Sequence, residues 1–152
     1  MKRAEIYKAG GAPPHDPGGM NIQLIPKLLV SDADAAITFY TQALEAQVNL
    51  RVADDRGVVN HAELALDSVA FALAQSVEEW GWNDPRSVGG SPVLIMLTVQ
   101  NPDATADRMV QHGAELVIPV EDRPYGKRQG RVRDPFGHLW VIGGELRDQR
   151  PR

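Results

Sequence analysis

A largely apolar run from Gln23 to Val30, with polar residues at Gln23 and Lys27, predicts a strand with Leu24, Pro26, Leu28 and Val30 on one side and Gln23, Ile25, Lys27 and Leu29 on the other. Ser31-Asp32-Ala33-Asp34 then reads as a capped helix start, with acidic residues where the helix dipole favours them. Ile37, Tyr40 and Leu44 form an i, i+3, i+7 stripe, widened by Ala36, Phe39 and Ala43, so this helix is amphipathic. Val48 to Ala53 and Val58 to Leu66 flank Asp54-Asp55-Arg56-Gly57, a hairpin signal, and Asp67-Ser68 turns the chain into a further strand, Val69 to Ala74. The same order follows again. It comprises a strand at 92–99, a helix at 102–112 closed by Gly113, and strands at 115–120, 129–133 and 138–142. Asp134-Pro135-Phe136-Gly137, with proline second and glycine fourth, suits a type I turn between the last two.

Residues 22–74 and 91–143 therefore read as one unit written twice at an offset of 69. Ile25 to Val30 overlays Leu94 to Val99, Asp34-Ala35 overlays Asp103-Ala104, and Phe71-Ala72-Leu73 overlays Trp140-Val141-Ile142. Identity is low, but a single offset aligns the first strand, the helix and the last strand together. The expected fold class is α+β, with two tandem βαβββ modules forming a curled mixed sheet, a central cleft and helices outside. A cleft enclosed by two copies is a natural ligand site. In the second copy, alternation sends Ile95, Leu97, Val99, Trp140 and Ile142 towards the helix, and Leu94, Met96, Thr98, Leu139 and Val141 into the cleft.

Length allows one domain, 21–147, with modules at about 22–74 and 92–143 and a linker at 75–91. Residues 1–20, rich in Gly and Pro after position 8, are expected to be a flexible arm, and 148–152 a tail. Met20 is an alternative start, and His15-Asp16 in the arm reads as a solvated pair. A net charge of −4 argues against nucleic-acid partners. The absence of cysteine excludes disulfides and thiolate chemistry, and no apolar run is long enough to span a bilayer. A cytoplasmic protein is expected.

Ile25-Pro26-Lys27-Leu28-Leu29-Val30-Ser31-Asp32 through Phe39-Tyr40, His61-Ala62-Glu63-Leu64, Gly89-Gly90-Ser91-Pro92 and Gly130 through Trp140 together resemble the vicinal oxygen chelate superfamily, specifically its glyoxalase-like bacterial branch. That superfamily contains glyoxalases, bleomycin-resistance proteins and extradiol dioxygenases. The resemblance implies four metal-ligand slots on the first and last strands of each copy, and here they hold Ile25, Ala72, Leu94 and Val141. None offers a lone pair to a metal ion. The expectation is thus no metal and no cofactor, and metal-independent binding of a small apolar or aromatic molecule, like the bleomycin-resistance-type sequestration proteins. The alternative is a glyoxalase-like lyase, isomerase or dioxygenase with a non-standard metal site or acid–base chemistry. The resemblance also implies a homodimer.

Candidate side chains follow from the strand faces. His61 and Glu63, two apart on one strand, share a face, and they serve either as an acid–base pair or merely as mutual hydrogen-bond partners. Lys27, Arg131 and Arg133 are predicted cleft cations that either clamp an anion or pair with local acids. Leu29 and Met96 supply apolar wall. Trp80 and Trp82, on the linker, either stack on a planar ligand or fold back as a lid, and Tyr125 is expected at the cleft mouth. His112, closing a helix, suits the C-terminal dipole.

Overall fold

The computed structural model describes residues 5–8 and 21–149 of the chain. The remainder of the expected arm, including His15, Asp16 and Met20, and the last three residues of the expected tail lie outside the described residues. Two compact units form, one running to Asn83 and one from Asp84, with Gln42–Leu44 grouped with the second.

The first unit holds β1 (Glu5–Lys8), β2 (Lys27–Val30), α1 (Ala33–Ala43), β3 (Gln47–Ala53), β4 (Val59–Leu66) and β5 (Val69–Gln75). Its sheet runs β1-β3-β4-β5-β2, with β2 parallel to β5 and the other pairs antiparallel. Four residues assigned by composition to the arm, Glu5–Lys8, thus pair as an edge strand on β3. Strand β2 starts at Lys27 rather than Gln23. Pro26 has no N–H to give to a ladder, although its carbonyl still accepts from the Ala72 N–H at 2.8 Å.

The second unit holds β6 (Leu94–Thr98), α2 (Pro102–Gln111), β7 (Glu115–Asp122), β8 (Arg128–Arg133) and β9 (Leu139–Gly144), in the sheet order β6-β9-β8-β7. Helix α2 packs on β7, β8 and β9. It buries Pro102, Thr105, Ala106 and Met109, the i, i+3, i+4, i+7 face. In α1 the matching buried set is Ala33, Ala36, Phe39, Tyr40 and Ala43, while Ile37 is only half-buried. The Tyr40 ring meets Phe71 of β5 edge-on at 5.2 Å. No helix among the described residues is long and apolar enough to cross a membrane.

The repeat is real at the level of hydrogen bonding. Lys27 pairs with Ala72 and Met96 with Val141, so the first and last strands of each unit keep the 69-residue offset. Asp32 Oδ1 caps α1 by accepting from the Ala35 N–H at 3.0 Å, and Asn101 Oδ1 caps α2 by accepting from the Ala104 N–H at 3.2 Å. The hairpin tips Asp54–Gly57 and Arg123–Gly126 match too, each ending in a positive-φ glycine.

The offset slips to 68 in the strand between, because Ala72 sits opposite Glu63 whereas Val141 sits opposite Arg131. A bulge at Asn60 supplies the additional residue in the first unit, and a longer β8–β9 turn restores the count in the second. That turn is held by Asp134, 2% exposed. Its Oδ1 accepts from the backbone N–H of Phe136 and of His138, at 2.9 and 3.0 Å, and its Oδ2 accepts from Trp140 Nε1 at 2.9 Å.

Candidate functional site

Alternation along β6, β8 and β9 puts Leu94, Met96, Gln129, Arg131 and Val141 on one face of the second sheet, opposite the face that buries Val132, Trp140 and Ile142. That open face carries a cavity of about 360 Å³, within the range of small-molecule sites. Leu94, Met96, Ile118 and Val141 form its apolar walls. Its polar side chains are Arg123, Tyr125, Gln129 and Arg131, and the Gly130 backbone completes the lining. Met96 is 70% exposed, unusual for a strand methionine with no surface to cover it.

The two arginines play different parts. Arg123 is committed to its own hairpin: Nε donates to the Gln129 carbonyl at 3.0 Å, Nη2 donates to the Pro119 carbonyl, and Nη1 lies 3.6 Å from Glu121. Arg131 has no ion-pair partner among the described residues, and no carboxylate lines the cavity. The Tyr125 hydroxyl donates to Gln129 Oε1 at 2.7 Å, which places Tyr125 at the cavity edge as its loop position suggested. Gln129 itself was missed from sequence, although it alternates with Arg131 on the same strand. Arg133, expected beside Arg131, instead donates from Nη1 to Glu115 Oε2 at 2.6 Å and does not line the cavity.

The first unit presents a polar face. Lys27 and Leu29 of β2 stand on one side of Ala72 and Ala74, and Glu63 and His61 of β4 on the other. Ala62 and Leu64 point the opposite way and are fully buried, so His61 and Glu63 do share the open side. Their side chains meet at 3.0 Å, His61 Nε2 to Glu63 Oε1. The chain after β5 folds back through a 3-10 turn, Glu78–Trp80, and a bridge between Val77 and Trp82. Trp82 thereby lies under the Lys27 ammonium, 4.8 Å from ring centroid to Nζ, and Trp80 packs edge-on against Trp82 at 5.1 Å. Burial lowers the Lys27 pKa below the ordinary lysine value. The residues proposed from sequence therefore fall into two groups: Met96, Arg131 and Tyr125 around the cavity, and Lys27, Leu29, His61, Glu63, Trp80 and Trp82 in the first unit.

The family model for the Glyoxalase/Bleomycin resistance protein/Dioxygenase superfamily matches residues 21–142, spanning both repeats. The chain belongs to this superfamily. The uncharacterized protein Rv0887c of Mycobacterium tuberculosis is 39% identical over 128 residues, which is 82% of this chain and 75% of that protein. Among solved structures, TioX from Micromonospora sp. ML1 is similar at TM-score 0.63 and 25% identity, covering 83% of this chain and 100% of TioX. The fosfomycin resistance protein FosX from Mesorhizobium loti shares the fold at TM-score 0.59 and 14% identity, over 86% of this chain and 98% of FosX.

For this superfamily member the metal question is one of donor chemistry. Ala72 and Val141 are buried on their strands, and Ile25 and Leu94 are hydrocarbon side chains as well. Among the described residues no three His, Cys, Asp or Glu side chains cluster in a way that could hold an ion. Hydrocarbon side chains at these four positions offer a metal ion no lone pair.

Proposed function

We propose that the chain binds a small apolar or aromatic molecule bearing an oxygen acceptor, without a metal ion in the four family slots. The observation that supports this reading best is the cavity of the second unit. Hydrocarbon and thioether walls surround a cation that has no internal partner among the described residues, and the slot residues Leu94 and Val141 are themselves part of the wall. Desolvating an aromatic ring against such walls supplies affinity, and the guanidinium fixes its orientation. The test is calorimetric titration of chelator-treated protein with 2-acetonaphthone, a neutral aromatic ketone. Saturable binding that survives chelator and is lost in Val141→Trp, which fills the cavity, is the expected result. A requirement for added divalent metal would overturn the proposal.

The 3.0 Å His61–Glu63 pair favours a second reading, acid–base chemistry beside a carbonyl. In that case the protein would exchange the methyl protons of 2-acetonaphthone for deuterium in heavy water, and His61→Ala would not. Exchange no faster than in buffer removes this reading.

A further inference from the structure

The polar side of the second unit's cavity is built almost wholly from donors. Arg131 offers its guanidinium, and Arg123 adds positive charge while its own N–H groups are spent within the hairpin. Gln129 is the group whose orientation decides the rest. Its Oε1 accepts from the Tyr125 hydroxyl, so the amide nitrogen remains to donate. The side chain is also confined from below. Gly143 is the β9 partner of Gln129, and a Cβ there would come within 2.8 Å of Gln129 Cγ and 3.3 Å of Nε2. Only a residue without a side chain lets the glutamine lie across the strand at this height.

Arg131 and Gln129 are two apart on β8, so their donors project from the same face. The protein carries a net charge of −4, yet this lining contains two arginines and no acid. A ligand with a donor or a cation at its polar end would meet unmatched N–H groups. A ligand with a carboxylate would meet a charged donor and a neutral one set at one side of an apolar cavity.

We propose that this cavity selects aromatic carboxylates, which Arg131 binds by charge and the Gln129 amide by a hydrogen bond, with Tyr125 and Gly143 as positioning residues that aim that amide. The proposal rests on the ligand-binding reading above and names its substrate class. Tyr125 and Gly143 act through Gln129, so their replacement changes selectivity between end groups and not the affinity for the ring.

Three probes sharing one ring separate the possibilities: 2-naphthoate, 2-acetonaphthone and 2-naphthylmethylamine. The parent protein is expected to bind naphthoate about tenfold or more tightly than the ketone, and the ammonium compound weakest. Arg131→Gln should cost naphthoate about ten- to hundredfold and the ketone less, so that the naphthoate-to-ketone ratio falls. Tyr125→Phe and Gly143→Ala should each narrow the naphthoate-to-ketone ratio. The Tyr125 ring is exposed, so its Phe variant keeps the fold intact even if Gly143→Ala does not. Ketone binding with no preference for naphthoate overturns the carboxylate assignment and leaves the binding function standing. Failure of all three probes overturns the binding function itself. A preference that survives both Tyr125→Phe and Gln129→Leu overturns the role given to the amide.

Discussion

The ammonium of Lys27 lies 4.8 Å from the centroid of the Trp82 ring, and this contact joins the first strand of the repeat to the segment that follows β5. The ring shields the amine from water, which disfavours its charged form, and attracts it through the aromatic quadrupole. Desolvation prevails, and the folded-state pKa lies below the ordinary 10.5. In the window between the folded value and 10.5 the unfolded chain binds more protons, so this group's contribution to stability rises with pH there. The chain has four lysines, which makes the measurement tractable. Proton-detected titration of isotopically methylated lysines is expected to show Lys27 titrating below the ordinary lysine value. Trp82→Ala should move it upward as water returns. A Lys27 titration at the ordinary lysine value in the parent contradicts the burial described.

Protein purified without added metal is expected to carry substoichiometric zinc, nickel, iron and manganese by elemental analysis. The reason is the hydrocarbon character of Ile25, Ala72, Leu94 and Val141. One equivalent of any of these metals, retained through dialysis, would show that the chain has found other ligands.

Asp134→Ala should destabilise the fold by about 3 kcal/mol in urea denaturation, since it strands two backbone N–H groups and the Trp140 indole N–H beneath the surface. Asp54 makes the same backbone bonds, to Arg56 and Val58, at an open hairpin tip, and its loss should cost less. Equal effects at the two sites would mean that the indole bond contributes nothing.

Homodimerisation is the remaining expectation. Val93, Leu94 and Met96 are exposed apolar residues on or beside β6, an edge strand of its sheet, and a second copy is a natural cover for such an edge. Sedimentation equilibrium at micromolar concentration should return twice the chain mass, and a single-chain mass would rule the dimer out.

Much of the fold was legible because periodicity and punctuation agreed. The α1 cap, the Asp54–Gly57 hairpin tip and the inward–outward division of β4, β6 and β9 stand where alternation and turn chemistry put them. Glu5–Lys8 was not legible: four residues beside a Gly- and Pro-rich stretch carry no period of their own, and only pairing with β3 makes them a strand. The slip at β4 and β8 was hidden for a related reason. A bulge is a tertiary accommodation, and a fixed offset passes over it. Met96, Arg131 and Tyr125 line the cavity of the second unit, where strand parity and loop position put their side chains. Gln129 was overlooked because a glutamine gains meaning only from its neighbours, here the Tyr125 hydroxyl and the missing side chain of Gly143.

The one-residue slip changes which residues count as counterparts. Matched by hydrogen-bond partner rather than by number, Glu63 corresponds to Arg131 and His61 to Gln129. Two identical copies would carry the same charge at both sheet positions. Here an acid stands in one copy where a base stands in the other, so the two open faces differ in charge at matched positions.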